Sequence, residues 1–144
     1  MDIAGYSFPD GIYYDKNHFW AKVENGLVVM GATDFMQKMA GEITFVDLDK
    51  AGEEIERGKP FSSIESGKWV GRIYAMVSGK IEAVNEDLEN NPELINQSSY
   101  DKGWLFKISP SDLEEDLSNL LRVGNGLEAF VEAEVARVKD AAGQ

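Results

Sequence analysis

The sequence predicts a β-rich α+β fold: a strand-dominated body, one short inner helix and two helices at the C-terminal end. Three observations carry this. The first is 19-FWAKVENGLVVMGA-32, two β-rich runs joined by Asn25-Gly26. Asn-Gly favours a two-residue hairpin because both turn positions need positive φ. The second is a series of further short β-like runs, separated by turn residues, between positions 42 and 108. The third is the tail, where the apolar residues change to helical spacing.

Taken in order, Gly11-Ile12-Tyr13-Tyr14 leads into the first hairpin. In 33-TDFMQKMAG-41, Thr33 or Asp34 can cap a helix, and Gly41 ends it. Phe35, Met36 and Met39 fall at helical spacing and are expected to pack in the core. The run 42-EITFVDL-48 reads as a strand, and 49-DKAGEEIERGKPF-61 as a solvated, turn-rich acidic connection. Residues 61-FSSIES-66 and 72-RIYAMVSGKIEAV-84 are β-like, with a bend at Ser78-Gly79. The segment 85-NEDLENNPELIN-96 is polar and punctuated by Asn-Pro, and 104-WLFKI-108 alternates as a last strand.

In the tail, Ser111-Asp112-Leu113-Glu114 has the form of a capping box. Leu113, Leu117, Leu120 and Leu121 make an apolar stripe, and Gly124 and Gly126 break the helix. Residues 127–142 then place Leu127, Phe130, Val131, Val135 and Val138 on one face. No linker divides the chain. Its 144 residues are expected to form one domain, with a helical C-terminal extension over about 111–142.

Composition removes several function classes. The formal net charge of −12 argues against nucleic acid and against anionic membrane, both of which demand basic surfaces. No apolar run approaches the roughly 20 residues of a membrane span, and Met1–Gly5 lacks the features of a secretory signal. The expected location is cytoplasmic. The chain has no cysteine, so disulfides, thiolate metal sites and a cysteine nucleophile are absent. One histidine, His18, leaves little for acid–base catalysis. No phosphate-binding glycine loop or G-x-S-x-G occurs, and carboxylate pairs carry no signal in so acidic a chain. The pattern is that of a carrier or binding module, not an enzyme.

One lysine stands apart by its setting. In 64-IESGKWVGRIYAM-76, Lys68 sits between Gly67 and Gly71 at a short tip between β-like runs. A lysine in such a turn is by itself an ordinary solvated side chain. A rigid hairpin presenting an ε-amine is also what a post-translational attachment site requires.

The surrounding motifs resemble those of the glycine-cleavage H-proteins. The matching stretches are 18-HFW-20, 31-GATDFMQKMAGEITFVDL-48, 64-IESGK-68, 74-YAMVSGKIEAVN-85, 92-PELIN-96 and 103-GWLFKI-108. Glu65 precedes Lys68 by 3 positions and Gly79 follows it by 11, as in the family. The resemblance implies a lipoyl-domain-like flattened β-sandwich or hybrid barrel, with lipoic acid in amide linkage on Lys68. It implies a non-catalytic swinging arm that carries sulfur-bound intermediates between enzymes. Glu65 matches the position that the lipoate–protein ligase reads, and His18 a histidine near the arm's resting cleft. Asn85, Asn96 and Trp104 are expected to support the fold.

The tip departs from the family pattern. Gly67, Trp69 and Arg72 stand where a valine, a small residue and an acid are usual, and Met76 stands where a proline is usual. Trp69 is expected either to pack over the hairpin or to shield the arm, and Arg72 to favour an anionic cargo. Lipoate-binding proteins of sulfur-oxidising bacteria have a similar tip. The reading drawn from it is a lipoyl carrier of cytoplasmic sulfur oxidation, serving a heterodisulfide-reductase-like complex. The alternative is glycine cleavage, with glycine decarboxylase, aminomethyltransferase and dihydrolipoamide dehydrogenase as partners. A second alternative is an unlipoylated H-like structural or regulatory protein. A biotinyl hairpin is excluded, because it places methionine on both sides of its lysine.

Overall fold

In a computed structural model, which describes residues 1–142, eleven strands and four α-helices alternate along the chain. They run β1 (Asp2–Ile3), β2 (Tyr6–Ser7), β3 (Tyr13–Tyr14), β4 (Phe19–Glu24), β5 (Leu27–Ala32), α1 (Asp34–Ala40) and β6 (Ile43–Val46). Then come β7 (Glu54–Ile55), β8 (Pro60–Ser66), β9 (Trp69–Tyr74), β10 (Gly79–Val84), α2 (Leu94–Gln97), β11 (Phe106–Pro110), α3 (Leu113–Ser118) and α4 (Leu127–Ala142). A short 3-10 turn, Glu86–Glu89, lies between β10 and α2.

The strands form a six-stranded sheet of order β3-β4-β5-β11-β10-β7 and a three-stranded sheet of order β6-β8-β9. All pairings are antiparallel. The two sheets enclose the main core, in which Phe19, Met30, Ile64, Ile73, Ile81 and Phe106 are fully buried. This is the expected flattened sandwich. A second cluster covers the opposite face of β4 and β5, where Trp20 and Val29 meet Phe8, Leu127 and Val131. Burial on both faces explains why 27-LVVMGA-32 is a continuous apolar run and not an alternating one.

The Asn25-Gly26 turn forms as expected, with φ of 53° and 78°. Thr33 caps α1, its hydroxyl accepting from the Met36 N–H at 3.1 Å. Three expectations are corrected. Met39 is 39% exposed and not in the core, because the buried face of α1 is Phe35, Met36, Gln37 and Ala40. The 49–61 connection is not wholly loop, since β7 pairs with β10. Ser111 does not cap α3: the N-cap is Asp112, one residue later, and the Ser111 N–H that Glu114 would have taken is held by the Ser78 carbonyl at 3.0 Å. The chain start, unassigned from sequence, is a small hairpin of β1 and β2 that joins the second cluster through Ile3 and Tyr6.

Two asparagines hold loops together, as anticipated. Asn85 is buried and donates to the Lys102 and Trp104 carbonyls, both at 2.8 Å. Asn96 donates to the Gly41 carbonyl at 2.8 Å and to Gln37 Oε1 at 3.1 Å, and accepts from the Ile43 N–H at 2.9 Å. It therefore fixes the α1–β6 junction. Among the described residues no buried side-chain nitrogen or oxygen lacks a partner. Replacing Asn96 with alanine leaves the Gly41 carbonyl and Ile43 N–H without that partner. We expect a loss of about 1–3 kcal/mol in urea unfolding, with an unchanged m-value.

Candidate functional site

Pairing of Ser66 with Trp69 across β8 and β9 leaves only Gly67 and Lys68 in the turn. Lys68 is exposed at the tip of this hairpin. Two residues below the Ser66–Trp69 pair, Ile64 on β8 is fully buried, and Ile73 on β9 is equally buried further down. Truncating either to alanine costs on the order of 2–5 kcal/mol, so the hairpin base is rigid. The tip has only a 3.4 Å contact from the Lys68 N–H to Ser66 Oγ. Gly67 has no positive φ, and a Cβ there would meet nothing within 4 Å. Its being glycine is therefore not required by the turn. Gly71 is different, because a Cβ there would collide with the indole of Trp69. Trp69 thus packs down along its own strand, and only 37% of it is exposed.

The Lys68 side chain folds back toward the α1–β6 junction. A Cβ placed on Gly41 would lie 3.1 Å from Lys68 Cε. The ammonium group stands near the C-terminal end of α1, where partial negative charge favours a cation.

Beside the hairpin lies a cleft of about 500 Å³. Its floor is β9, which among the described residues pairs only with β8 and so has a free edge. Trp69, Arg72 and Tyr74 line it from that strand, Met36 and Met39 from α1, Lys16 and His18 from the turn before β4, and Glu134, Arg137 and Val138 from α4. The exposed Met39 is therefore a wall of the cleft. Glu65 is elsewhere. It lies on β8 in register with Phe45 and Val70, neither of which lines the cleft, and these two are 48% and 69% exposed.

His18 is held by tertiary contacts in an unusual backbone conformation, φ 73°. Asp15 shapes this turn, its Oδ1 accepting from the Asn17 and Phe19 N–H groups at 3.0 and 2.9 Å. Burial pushes the Asp15 carboxyl up to about 7, against those donors. The imidazole stacks on Phe130 and tilts against Phe35. His18 Nε2 lies 2.8 Å from Glu134 Oε1. Burial holds the His18 pKa below its usual range, with the carboxylate opposing, so the neutral ring donates through Nε2–H. Glu134 also takes two hydrogen bonds from Arg137, at 2.9 and 3.2 Å, and its carboxyl is held low chiefly by them. A left-handed non-glycine residue costs about 1–2 kcal/mol, and a hydrogen bond to a charged group returns about 1.5–3. The Glu134 contact is thus large enough to hold His18 in place, and it ties α4 to the cleft.

The chain matches the sequence profile of the glycine cleavage H-protein family over residues 12–134. The chain belongs to the glycine cleavage H-protein family. It is 46% identical over 126 residues to the glycine cleavage system H protein of Oceanobacillus iheyensis, covering 88% of this chain and 98% of that protein. It is 47% identical over 115 residues to the one from Anoxybacillus flavithermus, covering 80% and 90%. The crystal structure of a glycine cleavage system H protein from Mycobacterium marinum superposes with a TM-score of 0.76 at 26% identity, covering 88% of this chain and 98% of that one. H-proteins are non-catalytic carriers with lipoate covalently attached to a lysine. No helix among the described residues is long and apolar enough to cross a membrane.

Sequence reasoning placed Lys68, Trp69, Arg72 and His18 in one neighbourhood, and the fold brings them there. It missed Lys16, Met39, Glu134 and Arg137. Glu134 lies 116 positions from His18, and no local signal links them.

The burial of His18 gives a pH prediction. A base whose folded pKa is depressed adds stability that is present above its unfolded value of 6.5 and is lost as pH falls below it. Asp15, pushed up from 3.8 to about 7, acts in the opposite direction over that span. The two are separated by comparing proteins that differ only at position 18. We expect His18→Gln to lose less stability than wild type between pH 6.5 and pH 5, measured by urea unfolding at each pH.

Proposed function

We propose that Lys68 carries the lipoyl group and that the protein serves as the H-protein of a glycine cleavage system. One observation carries this reading. Lys68 is exposed on a two-residue turn over a rigid hairpin base, beside a cleft of about 500 Å³, in a chain 46% identical to a glycine cleavage system H protein. The site fits the group: the amine is free to be acylated, and the cleft next to it is lined by Trp69, Met36 and Met39 as well as by polar residues. When bound, the lipoyl group supplies a disulfide that can be reduced to two thiols and take cargo on sulfur. The chain itself holds the arm's root rigid and offers the free edge of β9 and the face of α1 as a resting surface. It has no thiol of its own to compete by exchange.

The partners that follow are glycine decarboxylase, aminomethyltransferase and dihydrolipoamide dehydrogenase, with a lipoate–protein ligase to attach the arm. Glu65 suits the ligase contact, because it lies away from the cleft on the same strand as the turn. The sulfur-oxidation reading, with its heterodisulfide-reductase-like partner, gives way to this alternative. It rested on Gly67, Trp69 and Arg72. The family match over residues 12–134 and relatives 46% and 47% identical, each a glycine cleavage system H protein, favour the alternative, and Trp69 has a packing role against Gly71.

Two measurements test the reading. Co-expressed with a lipoate–protein ligase, the protein should gain the mass of one lipoyl group, and Lys68→Arg should gain none. A lipoylated Lys68→Arg protein would overturn the assignment, and an unmodified wild type would support the structural or regulatory alternative. Mixed with glycine decarboxylase, the lipoylated protein should support glycine-dependent carbon dioxide exchange. A lipoylated protein inert in that exchange would return the case to sulfur oxidation.

A further inference from the structure

The cleft beside Lys68 has a charge opposite to that of the molecule. The chain as a whole carries −12. The cleft is lined by three cations, Lys16, Arg72 and Arg137, and by one carboxylate, Glu134. Glu134 is already engaged by Arg137 and His18. Elsewhere on the surface Lys22, Lys38, Lys50, Arg57 and Lys59 each lie within 4 Å of an acid, while Lys80, Lys102, Lys107 and Arg122 do not among the described residues. Lys16 and Arg72 have no such partner among the described residues.

Each element around the cleft agrees with this charge. The turn before β4 contributes Lys16 and the neutral His18, and β9 contributes Arg72 and the Tyr74 phenol. Helix α1 contributes only uncharged side chains, and α4 contributes the Glu134–Arg137 pair. Arg72 lies four residues along β9 from Lys68, about 13 Å at the strand rise. A lysine side chain lengthened by an octanoyl-length acyl chain spans that distance.

We propose that this cleft is an anion site for the reduced arm, in which Lys16 and Arg72 stabilise a dihydrolipoyl thiolate over its thiol. The inference rests on the Lys68 attachment. In forming the thiolate the thiol gives its proton to bulk water, and no oxidant or reductant takes part in that step. A nearby cation favours the ionised form of an acid. A thiolate also exchanges with disulfides where a thiol does not. Away from the cleft, the negative surface of the chain works the other way. The arm is therefore more acidic docked than swung out, and its reactivity depends on where it rests. Lys16 and Arg72 are positioning residues for charge and form no bond to the arm.

The test uses lipoylated full-length protein reduced with a phosphine, its thiols titrated by thiolate ultraviolet absorbance. We expect the lower thiol pKa to lie about 0.5–1 unit below that of free dihydrolipoamide, a modest shift because both cations are exposed. The shift should shrink in 1 M salt, where the Debye length is about 3 Å. In Lys16→Gln/Arg72→Gln it should return to or above the free value, with the unfolding midpoint unchanged. A lipoylated protein whose thiols titrate as free dihydrolipoamide overturns this inference alone, as does a shift that the double variant keeps. A chain that takes no lipoyl group overturns the attachment and this inference with it.

Discussion

The β8–β9 hairpin is clamped at its base by Ile64 and Ile73, both fully buried between the two sheets, while its turn is left with almost no contacts of its own. Everything the site does depends on this division. Buried aliphatic side chains are worth kilocalories each, and a long surface hydrogen bond is worth a fraction of one. The root of Lys68 therefore has a fixed position while its side chain is free to move. Pairing β8 with β6 on its far side stiffens the hairpin further, and it leaves β9 as the outer edge. That edge becomes the cleft floor because α1 and α4 stand off from it and do not add a strand.

The second constraint is the fastening of α4. Leu127 and Val131 bury the start of the helix in the second cluster, together with the N-terminal hairpin and Trp20. The Glu134 bond to His18 then sets the next turn against the cleft. Asp15 closes the turn before β4, where the His18 backbone takes positive φ and its ring donates to Glu134. Residues from the two ends of the sequence thus make one wall. The wall is polar on a mostly apolar base, so it shapes the cleft and also sets its charge.

Arg72 shows how fold and composition differ as guides. From composition, the chain is acidic and a base on the tip reads as a comment on cargo. In the fold, Arg72 shares a cleft with Lys16 and Arg137, and the local sign of charge reverses. Trp69 shows the reverse correction, since much of its bulk is spent on covering Gly71.

Strand runs, the Asn25-Gly26 turn, the cap at Thr33 and the hairpin that presents Lys68 were legible in the sequence, because each depends on residues within a few positions of one another. The order of motifs was also enough to place the chain among the H-proteins. Met39 was misjudged because helical spacing shows which residues share a face but not whether that face is covered. Ser111 departs from the expected capping box because the helix begins one residue later, at the Asp112 cap, and the distant Ser78 carbonyl holds the N–H that Glu114 would take. The cleft itself was out of reach. His18 and Glu134 are 116 positions apart, and Lys16, Arg72 and Arg137 come from a turn, a strand and a helix. The sequence alone determined which lysine would be displayed and on what kind of hairpin. Only the tertiary structure decided what surrounds it, because charge and shape in a cleft are set by which distant elements pack together.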